Sequence, residues 1–331
     1  DAASGQRLLE PASIPHDIHP AEAHLDGDDL LVAWAPDRHL STYPGDSLRS
    51  LAAPAAPAAP RRLWDAGIAR DLPLADHGAI AADERQLRRW LARVDSLGFG
   101  VLSSVPLSDG EVARVAGLFA HVRTTSYGRV FDVRSVIAPA NLAYTPLALG
   151  PHTDNPYRDP VPTLQLLHCL SSSARGGEST IVDGFNVVEE LRSEHPRDVA
   201  LLAGRAVTFA YRDAGAELQA SAPVIELDPH GAVCGLRFNA RSLQPPALSS
   251  PELGDWYEAY LRLARMLVDE RFVLRLRLAP GDLFIVDNRR VLHGRAAYAA
   301  SGGKRHLQGC YADIDGLRSS LAVLGREHGD V

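Results

Sequence analysis

Residues 271–295 read Arg271-Phe272-Val273-Leu274-Arg275-Leu276-Arg277-Leu278, then Ala279-Pro280-Gly281-Asp282, then Leu283-Phe284-Ile285-Val286-Asp287-Asn288-Arg289-Arg290-Val291-Leu292-His293-Gly294-Arg295. Arginine and apolar residues alternate over 271–278, which predicts a strand with one buried and one wet face. Pro280-Gly281-Asp282 predicts a turn into a second strand, Leu283 to Val286. Working outward, Phe99 to Leu102 and Leu30 to Trp34 have the same strand character. Between them Leu87, Trp90, Leu91 and Val94 recur at helical spacing from Asp83 and stop at Gly98. A second helix is expected from Asp109, with Val112, Val115, Ala116 and Phe119 on one side. After Tyr127 the pattern predicts strands and loops, with one exception, a helix near Trp256 to Val268. Many short strands with a few outer helices make an α+β chain whose core is a double-stranded β-helix, or jelly roll. No Gly-rich loop follows a strand, which argues against a nucleotide-binding fold.

The 331 residues, 46% of them hydrophobic, suffice for one large domain and a small appendage. The expected division is a small N-terminal β domain at 1–51, an extended Ala/Pro linker at 52–62 and a main domain at 63–331. A net charge of -7 argues against a nucleic-acid footprint. No apolar run reaches the length of a membrane span, and the opening residues do not read as a secretory signal. Cys169, Cys234 and Cys310 are far apart in apolar segments and read as thiols of a reducing compartment, so a cytoplasmic location is expected.

His293 has a distant counterpart in His152-Thr153-Asp154. On an extended strand residues i and i+2 share a side, so His152 and Asp154 converge while Thr153 turns away. Two imidazoles and one carboxylate can occupy one face of a divalent iron and leave its other positions open. Taken alone, a His-x-Asp is commonplace and need not bind anything.

The surroundings are more specific. Gly150-Pro151-His152-Thr153-Asp154-Asn155-Pro156-Tyr157, Leu164-Gln165-Leu166-Leu167-His168-Cys169, Gly176-Gly177-Glu178-Ser179-Thr180-Ile181-Val182-Asp183 and Arg305-His306-Leu307-Gln308-Gly309-Cys310-Tyr311 together resemble the γ-butyrobetaine hydroxylase branch of the taurine-dioxygenase-like superfamily. The resemblance runs from about Ser126 to Leu324. It implies Fe(II) held by His152, Asp154 and His293, with 2-oxoglutarate and O2 as co-substrates. It places Arg305, with Lys304 as runner-up, on the far carboxylate of 2-oxoglutarate, and Thr180 beside it. Some members hold zinc in the N-terminal domain through cysteines; this chain has none before Cys169, so no zinc is expected there.

The same resemblance aligns Tyr127, Phe131, Tyr144 and Tyr311 with four aromatics that box a trimethylammonium group, and includes Asn141 before Tyr144. Tryptophan is usual where Phe131 stands. Phe238-Asn239-Ala240-Arg241-Ser242 falls where the family binds the substrate's acidic head, and Asn155 and Tyr157 flank the metal position. Asn155, Tyr157 and Arg241 together look similar to bacterial 2-trimethylaminoethylphosphonate dioxygenases, whereas Ala240 departs from the asparagine expected there. The expected function is therefore hydroxylation of an unactivated C–H in a small trimethylammonium zwitterion. The expected partner is that small molecule, with no nucleic acid and no membrane, and with a homodimer as the assembly considered. The alternatives are oxidation or desaturation of another small metabolite by the same iron chemistry, and a catalytically silent jelly-roll binding protein. A zinc hydrolase would leave Arg305 idle.

Overall fold

The computed structural model describes residues 6–52, 61–134, 147–298 and 303–327. Two compact units divide at Ala58 and Ala59. The first holds an antiparallel meander of His19–Asp26, Asp29–Ala35 and His39–Tyr43, followed by the helix Gly45–Ala52. Most of the Ala/Pro segment, 53–60, lies outside the described residues.

The second unit is built on two β-sheets. The smaller has the strand order Leu274–Leu276, Ser179–Asp183, Val291–Arg295, Leu149–His152, all antiparallel. The larger runs Leu74–Asp76, Phe99–Ser103, Leu283–Asp287, Leu164–Ser172, Arg305–Ala312 and Val122–Arg123, with Phe131–Arg134 also paired to Arg305–Ala312. Ile181, Leu274 and Leu276 of the smaller sheet pack with Phe99, Leu167, Phe284 and Leu307 of the larger. This is the double-stranded β-helix expected from the alternation. Strand pleating assigns each face. On Arg305–Ala312, residues Arg305, Leu307 and Tyr311 turn inward to a cavity. Cys310 and Ala312 turn outward, to an apolar layer with Leu87, Leu91 and Val94 of the helix Glu84–Leu97 and Leu317 and Leu324 of the helix Ile314–Glu327.

The helix Glu84–Leu97 starts where expected, because the Asp83 side chain accepts from the amide of Arg85 and frees the first turn of an unsatisfied donor. Other expectations need correcting. The strand expected over 271–278 is regular only at Leu274–Leu276, since Val273 is buried along with Phe272 and Leu274 and breaks the alternation. The helix expected from Asp109 is short, Glu111–Ala116, although Phe119 beyond it is buried.

The largest difference is three further helices after Tyr127: Gly184–Glu194, Pro196–Gly204 and Ile314–Glu327. The first contains Phe185, Val187 and Val188, residues of strand propensity. Asp183 caps it by accepting from the amide of Phe185, and burial of Val187, Val188 and Leu191 outweighs the local preference. Pro196 opens the second, a position where its missing N–H costs nothing. Both pack with the helix Ser250–Met266 around a second apolar cluster that includes Trp256 and Phe209. Among the described residues, no helix is long and apolar enough to cross a membrane.

Candidate metal centre and substrate cavity

His152 closes the strand Leu149–His152, and its Cα partner across the smaller sheet is His293. Directly opposed residues share a face, and the two rings lie 4.4 Å apart between centroids. Asp154 lies past the strand end, so pleating alone does not aim it. Asn288 does: its Oδ1 accepts from the Asp154 amide at 2.7 Å, and its Nδ2 donates to the Asp154 carbonyl at 2.9 Å. Thr153 is hooked as well, donating its amide to Phe238 O at 2.8 Å and accepting the Phe238 amide on Oγ1 at 3.0 Å. The outcome is a group in which one donor atom from each of His152, Asp154 and His293 lies within 4.8 Å of the others.

The chemistry of this donor set fits a divalent iron. His152 Nδ1 sits 2.9 Å from the Gly150 carbonyl, which calls for a proton on that nitrogen and leaves the Nε2 lone pair free. Nε2 lies 3.4 Å from Asp154 Oδ1, and His293 Nε2 lies 3.7 Å from Oδ2. Burial, reinforced by His152, pushes the His293 imidazole down to about 3, so it is neutral at physiological pH, as a ligand must be. Burial opposes ionisation of Asp154. The two imidazoles and the Tyr311 hydroxyl more than reverse this and hold it well below the usual carboxylate range.

A cavity of about 420 Å3 adjoins this group. Part of its wall is Ser179, Arg295 and Arg305. Arg305 Nε donates to Gly177 O at 3.2 Å. The loop comes this close because Gly177 has φ +74, and a Cβ there would sit 3.1 Å from Arg305 Cδ. Arg295 donates to Leu147 O at 2.7 Å and lies over the Tyr298 ring. Burial, together with the charge of Arg295, lowers Arg305 to about 10. Lys304, the other sequence candidate, is exposed. Thr180 is not in the wall. It pairs with Gly294, whereas Ser179 pairs with Arg295, and adjacent strand residues face opposite ways.

Aromatic faces form another part. Phe131 stacks on Tyr311 at 5.1 Å, Tyr127 lies 6.2 Å from Phe131, and the Tyr127 and Tyr157 hydroxyls are 2.9 Å apart. Gly309 opposes Phe131 across the strands, and a Cβ there would meet the Phe131 ring at 2.5 Å. Asn141 and Tyr144 lie outside the described residues. Asn155 takes φ +54, a conformation asparagine tolerates, and both polar atoms of its side chain are buried without a hydrogen-bond partner among the described residues. Asn239 donates to Thr153 O at 3.1 Å and accepts from Arg241 Nε at 3.3 Å. Arg241 is desolvated enough to lower its pKa, and no salt bridge to it occurs among the described residues.

The cavity residues not anticipated include Gln165, Ser179, Tyr211 and Arg295. Arg295 was within reach, since it follows His293 by two residues on a strand and must share its face. Gln165 is a polar residue in the apolar run 164–170, a signal that needs the fold to interpret. Tyr211, stacked on Tyr157 at 4.9 Å, comes from the separate hairpin of Ala206–Arg212 and Glu217–Pro223, and nothing local marks it.

Comparison with known proteins agrees with this geometry. Residues 57–311 match the family described as taurine catabolism dioxygenase TauD, TfdA. The chain belongs to this family. It is 38% identical over 330 residues to a gamma-butyrobetaine dioxygenase of Pseudomonas sp. (strain AK-1), covering 97% of this chain and 85% of that one. The gamma-butyrobetaine dioxygenase of Homo sapiens is 30% identical over 341 residues, covering 98% and 86%. A solved asparagine oxygenase in complex with Fe(II), 2S,3S-3-hydroxyasparagine and succinate shares the fold, with a TM-score of 0.54 and 23% identity over 71% of this chain and 81% of that one. Membership of the TauD, TfdA family makes the chain a dioxygenase, and its chemistry depends on iron and 2-oxoglutarate.

Proposed function

We propose that this dioxygenase hydroxylates an unactivated C–H of a small trimethylammonium zwitterion whose acid end is a carboxylate, as in γ-butyrobetaine, or a phosphonate, as in 2-trimethylaminoethylphosphonate. One observation carries the proposal: the cavity beside the His152, Asp154, His293 group combines aromatic faces with a desolvated Arg241. A quaternary ammonium offers no hydrogen-bond donor, so ring faces are its natural partners, each contributing roughly 0.5–2 kcal/mol. The names of the relatives point the same way.

In this reading His152, Asp154 and His293 hold the metal. When bound, iron(II) with 2-oxoglutarate and O2 couples oxidative decarboxylation of the co-substrate, to succinate and CO2, with insertion of one oxygen atom into the substrate C–H. The protein binds and orients. Arg305 receives the far carboxylate of 2-oxoglutarate, with Arg295 and the Ser179 hydroxyl beside it. Tyr127, Phe131 and Tyr311 hold the ammonium group, Tyr211 adds a ring, and the sequence resemblance adds Tyr144. Arg241, Asn155, Tyr157 and Asn239 take the acid end; among the described residues the Asn155 amide has no hydrogen-bond partner and Arg241 no salt bridge, and one anion would meet both.

The test measures succinate release with a panel of betaines, trimethylammonium phosphonates and their neutral tert-butyl isosteres. A charged substrate should be favoured over its isostere by on the order of 1–3 kcal/mol in kcat/KM. Equal turnover of the neutral compound would sink the cage.

A further inference from the structure

The carboxylate of Asp154 is held from one side. Tyr311 Oη donates to Asp154 Oδ2 at 2.7 Å, and Gln165 Nε2 donates to the same oxygen. The two donors come from the larger sheet, where Gln165 and Tyr311 are Cα partners on neighbouring strands, so their side chains leave on the same face. Both are buried, at 2% and 4% exposure, which makes each bond to a charged oxygen hard to replace with water. The Tyr311 ring is fixed independently by its stacking on Phe131. The orientation of the Gln165 amide follows from charge: Nε2 donates to the carboxylate, while Oε1 faces away and has no partner among the described residues. Oδ1 receives neither bond and lies 3.4 Å from His152 Nε2, while Oδ2 lies 3.7 Å from His293 Nε2.

We infer that Gln165 and Tyr311 are positioning residues for the metal: they engage Oδ2 and keep Asp154 a one-oxygen ligand through Oδ1. A chelating carboxylate would occupy two coordination positions, and a one-oxygen carboxylate occupies one. Iron chemistry with a bidentate co-substrate and O2 needs that second position. Tyr311 thereby serves twice, its ring as part of the aromatic wall and its hydroxyl as an anchor for the metal-facing carboxylate. The inference rests on His152, Asp154 and His293 being the metal ligands.

Titration of the metal-free protein with Mn(II), read by electron paramagnetic resonance, tests it without turnover. Tyr311→Phe keeps the ring and removes the hydroxyl; Gln165→Met keeps the volume and removes the amide. Each should weaken Mn(II) binding about 10- to 100-fold and change the spectrum of the bound ion as the carboxylate rotates. Binding and spectra like those of the wild type in both variants would overturn the inference. Should Gln165→Met fail to fold, Tyr311→Phe decides alone. Asp154→Ala separates the two levels: if it binds Mn(II) as the wild type does, the ligand set itself is wrong; if it does not, the result for Tyr311→Phe bears on positioning only.

Discussion

Ser179 and Thr180 are adjacent hydroxyls on one strand, and the pleat sends one of them into the cavity and the other out of it. Sequence similarity favoured Thr180, and local pattern could not choose between them, because only the pairing of Ser179 with Arg295 says which face is which. The histidines, Asp154 and Arg305 were legible because their residue types are scarce in apolar strands and their chemistry is specific. Gln165 was not, since its meaning depends on Tyr311 lying opposite it on a strand some 150 residues away in sequence. The Ser179 assignment is testable. Ser179→Ala should raise the 2-oxoglutarate requirement roughly tenfold, the cost of one hydrogen bond to a charged group at about 1.5 kcal/mol. Thr180→Val should leave it within about twofold of the wild type on the same scale. Steady-state KM for 2-oxoglutarate in the two variants decides, and the reverse ranking would return the role to Thr180.

At the scale of elements, the strands at Phe99–Ser103 and Leu283–Asp287 match the sequence pattern, and the alternation over 271–278 yields a strand only at Leu274–Leu276. The helices Gly184–Glu194, Pro196–Gly204 and Ile314–Glu327 were missed, because tertiary burial rather than local propensity determines the first of them. The helix Gly184–Glu194 is tied into the sandwich by Asp183, which caps it and also accepts from Arg290 Nε at 3.0 Å and Nη2 at 2.8 Å. Arg290 in turn donates to Ser96 O and Arg62 O, so a fully buried ion pair joins the smaller sheet, the helix and the N-terminal end of this unit. Its worth lies in the cost of breaking it. Arg290→Met should leave the Asp183 carboxylate buried and unpaired and destabilise the fold by about 3–5 kcal/mol, measured by urea unfolding of the metal-free protein. Replacing both partners with apolar residues should cost less than that single change.

For the whole molecule, the decisive feature is where the pieces of the metal group originate. The two histidines belong to the smaller sheet, while Gln165 and Tyr311, which grip Asp154, belong to the larger. A bound ion would therefore tie the two sheets of the sandwich together beside the cavity. Mass action then makes the fold's stability depend on metal supply, with a gain of about 2.7 kcal/mol when free metal stands at 100 times its dissociation constant. The thermal midpoint should climb with Mn(II) concentration in the wild type and stay flat in Asp154→Ala. In a cell the same dependence acts on lifetime. Chains made while iron is scarce should open more often and be cleared by proteases sooner, so that the population of enzyme would follow the supply of iron with no regulator assigned to the task.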